Sequence, residues 1–208
     1  MKDRSEANEE LSIRIWHFVA RLITTSGTFL AFYFAVATLS FASQADTTFW
    51  VQTGGPHGSL VQSLVVDRSG SIFAGTYSGG VCLSTDTGVT WTQMSSGLTS
   101  SCVNSMVIST WGRIYAGTDG GVFVSTNNGS SWTQSFGKVV MALAISPLGN
   151  IFAGTWEDGV YVSSDSGKTW TQGNNLLRSD AVVVFSLAID SSGSIFAGTR
   201  DGGDLPIN

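Results

Sequence analysis

The chain has 208 residues, a formal net charge of −5, 12% charged residues and 25 glycines. With no run of Lys or Arg it has no electrostatic footprint for nucleic acid, and no nucleic-acid partner is expected. Two isolated cysteines, no CxxC pair and no His/Cys cluster give no reason to expect a metal site or a cofactor.

The chain divides at about Ala45. The apolar run Thr28–Ala42 is preceded by Arg14 and Arg21, and no charge occurs between Arg21 and Asp46. Ser43-Gln44-Ala45 suits a signal peptidase, with cleavage before Asp46. The preferred reading of residues 1–45 is therefore a signal peptide, and the alternative is an uncleaved hydrophobic helix that anchors the chain. Both place residues 46–208 outside the cytoplasm, with the membrane engaged only through the N-terminal segment.

Four repeated units follow. Trp50-Val-Gln has the spelling of a closing strand, like Trp91-Thr-Gln and Trp132-Thr-Gln, and a loop rich in turn formers comes after it, from Gly54 to Gly58. New units open at Leu60, Cys102, Val139 and Val183. Each of the first three has a strand-like run ending in Ala-Gly-Thr, a Gly-rich turn, a second run such as Val160-Tyr161-Val162-Ser163, and a turn of fixed spelling before a tryptophan. That last turn reads Ser84-Thr-Asp-Thr-Gly-Val-Thr-Trp91, then Ser125-Thr-Asn-Asn-Gly-Ser-Ser-Trp132, then Ser163-Ser-Asp-Ser-Gly-Lys-Thr-Trp170. A short Asp or Asn side chain accepts backbone N–H groups inside its own turn, so Asp86, Asn127 and Asp165 are read as turn-makers rather than catalysts.

Tryptophans 50, 91, 132 and 170 lie 41, 41 and 38 residues apart. A period near forty with four short strands per unit predicts an all-β propeller of four-stranded antiparallel blades. In the third unit the strands are expected at Val139–Ser146, Asn150–Thr155, Gly159–Ser163 and Thr169–Gln172. The fourth unit, from residue 181, keeps two good strands. It then reads Gly203-Asp204-Leu205-Pro206-Ile207-Asn208, a poor third strand with no box. About three complete blades and partial ones are therefore expected, either as an open arc or as a ring completed by self-association.

The S-x-D-x-G-x-T-W turn resembles the Asp-box, or BNR repeat, of sialidases, sortilin-type ectodomains, xyloglucanase-type glycosidases and photosystem II assembly factors. The resemblance covers nearly everything from Trp50 onward. It implies a propeller whose boxes sit on the blade rim, away from the functional face, and it fits enzymes and non-enzymes alike.

Strand alternation puts the turns after Ala-Gly-Thr on one mouth of the channel, together with the connectors Met94–Ser101, Ser135–Lys138 and Gly173–Asp180. These connectors add Lys138, Asn174, Asn175 and Arg178 to that face. The candidate ligand-binding residues there are Tyr77, Asp119, Trp156, Glu157, Asp158, Arg200 and Asp201. The aromatic rings would stack on sugars or peptide side chains, and the charged groups would supply directional hydrogen bonds. No catalytic residue stands out. Glu157 and Asp158 are adjacent and point apart on a strand, Asp119 with Glu157 is a pair by location only, and the arginine-containing FRIP signature of sialidases is absent. The expected function is an exported, non-catalytic module binding a protein, peptide or glycan; the alternative is a sialidase- or xyloglucanase-like hydrolase, or a degenerate fragment of one. Cys82 and Cys102 fall where other units carry apolar residues, and both are expected to be buried free thiols.

Overall fold

The structure, a computed structural model, describes residues 52–56, 60–173 and 183–200 and the backbone of 206–207. The hydrophobic leader, the division near residue 45, Asn174, Asn175, Arg178 and Asp201 lie outside the described residues.

Three antiparallel four-stranded meanders and one three-stranded sheet follow in chain order. The first blade is β1 (Val61–Val66), β2 (Ile72–Thr76), β3 (Val81–Ser84) and β4 (Thr92–Gln93). The second is β5 (Val103–Ile108), β6 (Ile114–Thr118), β7 (Gly121–Ser125) and β8 (Thr133–Phe136). The third is β9 (Val140–Ile145), β10 (Ile151–Thr155), β11 (Val160–Ser163) and β12 (Thr171–Gln172). The fourth is β13 (Val183–Ile189), β14 (Ile195–Arg200) and β15 (Pro206–Ile207). The strands expected in the third unit are each present and trimmed at their ends. The outgoing strand starts just after the tryptophan rather than at it.

Pairing shows how closely the units repeat. Ala74 opposes Leu64 and Cys82, Ala116 opposes Met106 and Phe123, and Ala153 opposes Leu143 and Tyr161. The fourth unit keeps phase further than its spelling suggests. Ile207 pairs with Ile195 where Ser84 pairs with Ile72, and Pro206 pairs with Phe196. Proline is tolerated there because, among the described residues, β15 pairs with β14 alone, an edge position where a missing N–H can face away from the ladder.

The first strand of each blade is innermost, and these strands pack in order: β1 on β5, β5 on β9, β9 on β13. The core lies between blades. Phe73 and Val81 of the first blade meet Val103, Met106, Ile114, Phe123 and Trp132 of the second. Tyr115 and Val122 of the second meet Val140, Leu143 and Ile151 of the third. Two backbone N–H groups also cross between inner strands, Met106 to Ser63 Oγ at 2.9 Å and Leu143 to Ser105 Oγ at 3.0 Å. Among the described residues no comparable packing joins β1 to β13, so the described blades form an open arc.

The cysteines are free, as expected, but only half-buried. The reason is positional. Cys82 takes the place of buried Phe123, yet it stands on the face of the first blade that no blade among the described residues covers. Trp91 shows the same effect: its Nε1–H turns back to Gly88 O, whereas that of Trp132 reaches Met94 O and that of Trp170 reaches Ser135 Oγ in the preceding blade.

Candidate functional site

Two sets of turns close the ends of each blade, and their chemistry differs. At the outer end, Asp86 accepts from the Ser84 hydroxyl and from the backbone N–H and hydroxyl of Thr90. Asp165 does the same with Ser163 and Thr169, while Asn127 accepts from the Ser125 hydroxyl and the Ser131 N–H and donates its Nδ2 to the Ser131 hydroxyl. The buried serine hydroxyl also receives the N–H of the box glycine, Gly88, Gly129 or Gly167. At Gly167 φ is +86°, a left-handed value that favours glycine. These side chains are consumed in shaping the turn and have no catalytic geometry.

Those hydrogen bonds hold the Asp86 carboxyl at about 2, chiefly through the Thr90 hydroxyl and amide, and hold Asp165 lower still through Thr169. A carboxyl whose folded value is depressed contributes stability that is complete above its ordinary value near 3.8 and is lost as pH falls through the folded value. Asp86→Asn with Asp165→Asn is therefore expected to flatten the pH dependence of stability from about pH 4 down to about pH 2. Near neutrality it should change little, since Asn127 already makes the same turn. Urea unfolding across that pH range checks this.

At the mouth, the three described turns are braced alike. The buried Thr76, Thr118 and Thr155 hydroxyls donate to the carbonyls of Gly80, Gly121 and Gly159 and accept the N–H groups of Gly79, Gly120 and Asp158. The glutamine of each Trp-Thr-Gln then reaches fourteen residues back. Gln93 Nε2 donates to Gly79 O, Gln134 Nε2 to Gly120 O and Gln172 Nε2 to Asp158 O. Side chains on these tips therefore sit on a rigid frame.

The sequence-predicted residues on this frame are differently engaged. Tyr77 is an exposed ring at the first tip. Asp119 is exposed and accepts from Asn104 Nδ2 at 2.9 Å. Trp156 meets Phe185 of the next blade edge-on, with centroids 5.9 Å apart. Asp158 pairs with Lys138 at 2.9 Å, and that ammonium also lies 5.9 Å from the Tyr161 ring centre. Glu157 is exposed, and Arg200 ends β14 in an exposed position. Two of the mouth carboxylates, Asp119 and Asp158, are thus tied to neighbours.

Sequence reasoning missed the inner ring. Irregular pairing at the start of the inner strands leaves Gln62, Asn104, Met141 and Phe185 as an extra residue beside the Ala-Gly-Thr end. Such a bulge re-aims its side chain. Asn104 uses it to reach Asp119, Val140 O and Met141 Sδ at once, and Phe185 uses it to meet Trp156. The signal was present: one varying residue sits between the repeated Val and a small residue in Val-Gln-Ser, Val-Asn-Ser, Val-Met-Ala and Val-Phe-Ser. Cys102 opens the same ring. Its thiol is pushed up by burial and by the Asp119 charge.

An open pocket of about 350 Å³ lies on this face, lined by Ser78, Gly79, Gln93, Leu98, Thr99 and Ser100 among others. It exists because the connector from Met94 to Ser101 is longer than that from Ser135 to Lys138. Where the shorter connector puts Phe136 against Tyr161 and Trp170, with centroids 4.8 and 5.2 Å away, the longer one puts Ser95. An aromatic plug is replaced by a hydroxyl that accepts the Val81 N–H at 3.1 Å.

No family model matches the chain, and no curated protein does. Solved structures do. The extracellular domain of BT4673 from B. thetaiotaomicron is 21% identical over 71% of this chain, with a TM-score of 0.59, and the match takes in 21% of that chain. The GH74 xyloglucanase from Xanthomonas campestris is 17% identical over 70% of this chain and 27% of its own, with a TM-score of 0.57. The computationally designed Ika4 protein is 14% identical over 74% of this chain and 94% of its own, with a TM-score of 0.57. The chain thus spans about a fifth of the Bacteroides domain and about a quarter of the xyloglucanase. At these identities the likeness is one of fold: four-stranded antiparallel sheets arranged as in β-propellers.

Proposed function

We propose that this chain is an exported, non-catalytic propeller module that binds a protein, peptide or glycan at the mouth formed by its braced turns. The observation that carries the reading is the contrast at the mouth. The same Thr and Gln hydrogen bonds brace the three complete turns, while the side chains they present change from Tyr77 to Asp119 to Trp156. A fixed scaffold with variable tips suits recognition, where rigid positioning lowers the entropy lost on binding. Exposed aromatic rings beside a hydroxyl-lined pocket suit the faces and edges of a sugar or of an extended peptide. The extracellular placement of the BT4673 domain supports the exported location. The Asp-box resemblance and the leader point the same way.

The likeness to GH74 enzymes keeps a glycoside hydrolase as the second reading. Retaining and inverting hydrolases both need two opposed carboxyl groups at the scissile bond. Here Asp119 is bonded to Asn104 and Asp158 to Lys138, an arrangement that holds loops together. Glycan-array and peptide-array binding by the full chain, beside assays with aryl-glycosides, separates the two. The expected result is binding without turnover, reduced at least tenfold when Tyr77, Trp156 and Arg200 are all replaced by Ala. Unchanged binding in that triple variant refutes the mouth as the site. Turnover abolished by Glu157→Gln favours the hydrolase.

A further inference from the structure

The interfaces between blades follow one rule. The glycine of each Ala-Gly-Thr leaves a hole, and a valine from the next inner strand fills it. A Cβ built at Gly75 would meet Val103 Cγ1 at 2.6 Å, one at Gly117 would meet Val140 Cγ1 at 2.7 Å, and one at Gly154 would meet Val184 Cγ1 at 2.6 Å. Beside Val103 and Val140, Met106 and Leu143 pack on the same two glycines. Val103, Val140 and Val184 are all fully buried.

Among the described residues the rule leaves one knob and one hole without a counterpart. By pairing, Val61 is equivalent to Val103 and Leu64 to Met106, yet they are 43% and 60% exposed. Leu60 and Val66 extend this apolar stripe along β1. At the other end Gly198 is equivalent to Gly75 and is exposed. Beside it, Phe196 takes the place of buried Phe73 but is 48% exposed. Ser186 stands where Ser63 and Ser105 receive a backbone N–H from the next inner strand.

We infer that the two ends of the arc dock on a second copy of this chain, Val61 and Leu64 of one copy seating on Gly198 and Phe196 of the other. The contact repeats an interface that the fold already builds three times, so its shape and polarity are matched on both sides. In a two-fold arrangement each copy uses both ends, so the exposed faces of the first and fourth described blades are both covered. This inference does not depend on what the mouth binds.

Light scattering on the full chain, recovered as the expressing cell processes it, is expected to give twice the chain mass. Leu64→Asp should give the single-chain mass with an unchanged circular dichroism spectrum, because the side chain is exposed within one copy. With Cys82 and Cys102 replaced by Ser, a chain carrying Val61→Cys and Gly198→Cys should form an oxidised band of two chains. A single-chain mass for the unaltered protein overturns the inference, and so does an open-ended series of larger assemblies. It is equally overturned by a Leu64→Asp variant that stays dimeric, or by a cross-link confined to one chain, which would mean that the arc closes on itself.

Discussion

Phe123→Ala is expected to lower stability by about 3–5 kcal/mol, the usual cost of removing a fully buried aromatic ring. Phe123 is 1% exposed and belongs to the cluster that joins the first two blades, with Phe73, Val81, Met106 and Trp132 around it. Natural domains are stable by about 5–15 kcal/mol, so the loss takes a large share of the total. Units stacked in series depend on their neighbours, so the damage should centre on this one interface. Urea unfolding followed by tryptophan fluorescence reads it directly, because Trp132 lies in the same cluster. Cys82→Ala supplies the comparison. The residue holds the same repeat position, but it is half-exposed, and its truncation should cost clearly less. Equal losses at the two positions would mean that burial between blades is not what holds the arc together.

Gly117→Ala is expected to cost about 1–3 kcal/mol through overpacking. The backbone there is ordinary strand, paired on both sides, so conformational freedom is not the issue. Space is. A Cβ on Gly117 would stand 2.7 Å from Val140 Cγ1 and 3.2 Å from Leu143 Cγ, and both of those side chains are buried. Adding Val140→Ala should restore part of the loss, making the pair less destabilised than the sum of the single changes. That coupling is the sign of two residues sharing one hole. Strict additivity in thermal or urea unfolding would show that the glycine serves some other purpose.

Much of the architecture was legible because each unit carries its own instructions. The alternation in Ile-Phe-Ala-Gly-Thr, the Gly-rich turn and the box spelling are local, and local hydrogen bonds satisfy them: Asp86 with Ser84 and Thr90, Thr76 with Gly79 and Gly80. The mouth was legible in outline for the same reason, since strand direction alone puts Tyr77, Asp119 and Trp156 at one end. Their partners were not legible. Asn104 reaches Asp119 from fifteen residues away across a bulge, and Phe185 meets Trp156 from the next blade. Neither link leaves a local spelling beyond one varying residue in a repeated frame.

The sequence by itself therefore determined the unit: four short antiparallel strands, an outer turn closed by an acid or amide, and a period near forty residues. Only the tertiary structure decided which copies of the same position are covered. Val61 and Val103 have the same pairing within their blades, yet one is open to solvent and the other sealed. Cys82 and Phe123 differ in the same way. The physical reason is that pairing and turn geometry arise within one unit, whereas burial is conferred by whatever packs against it.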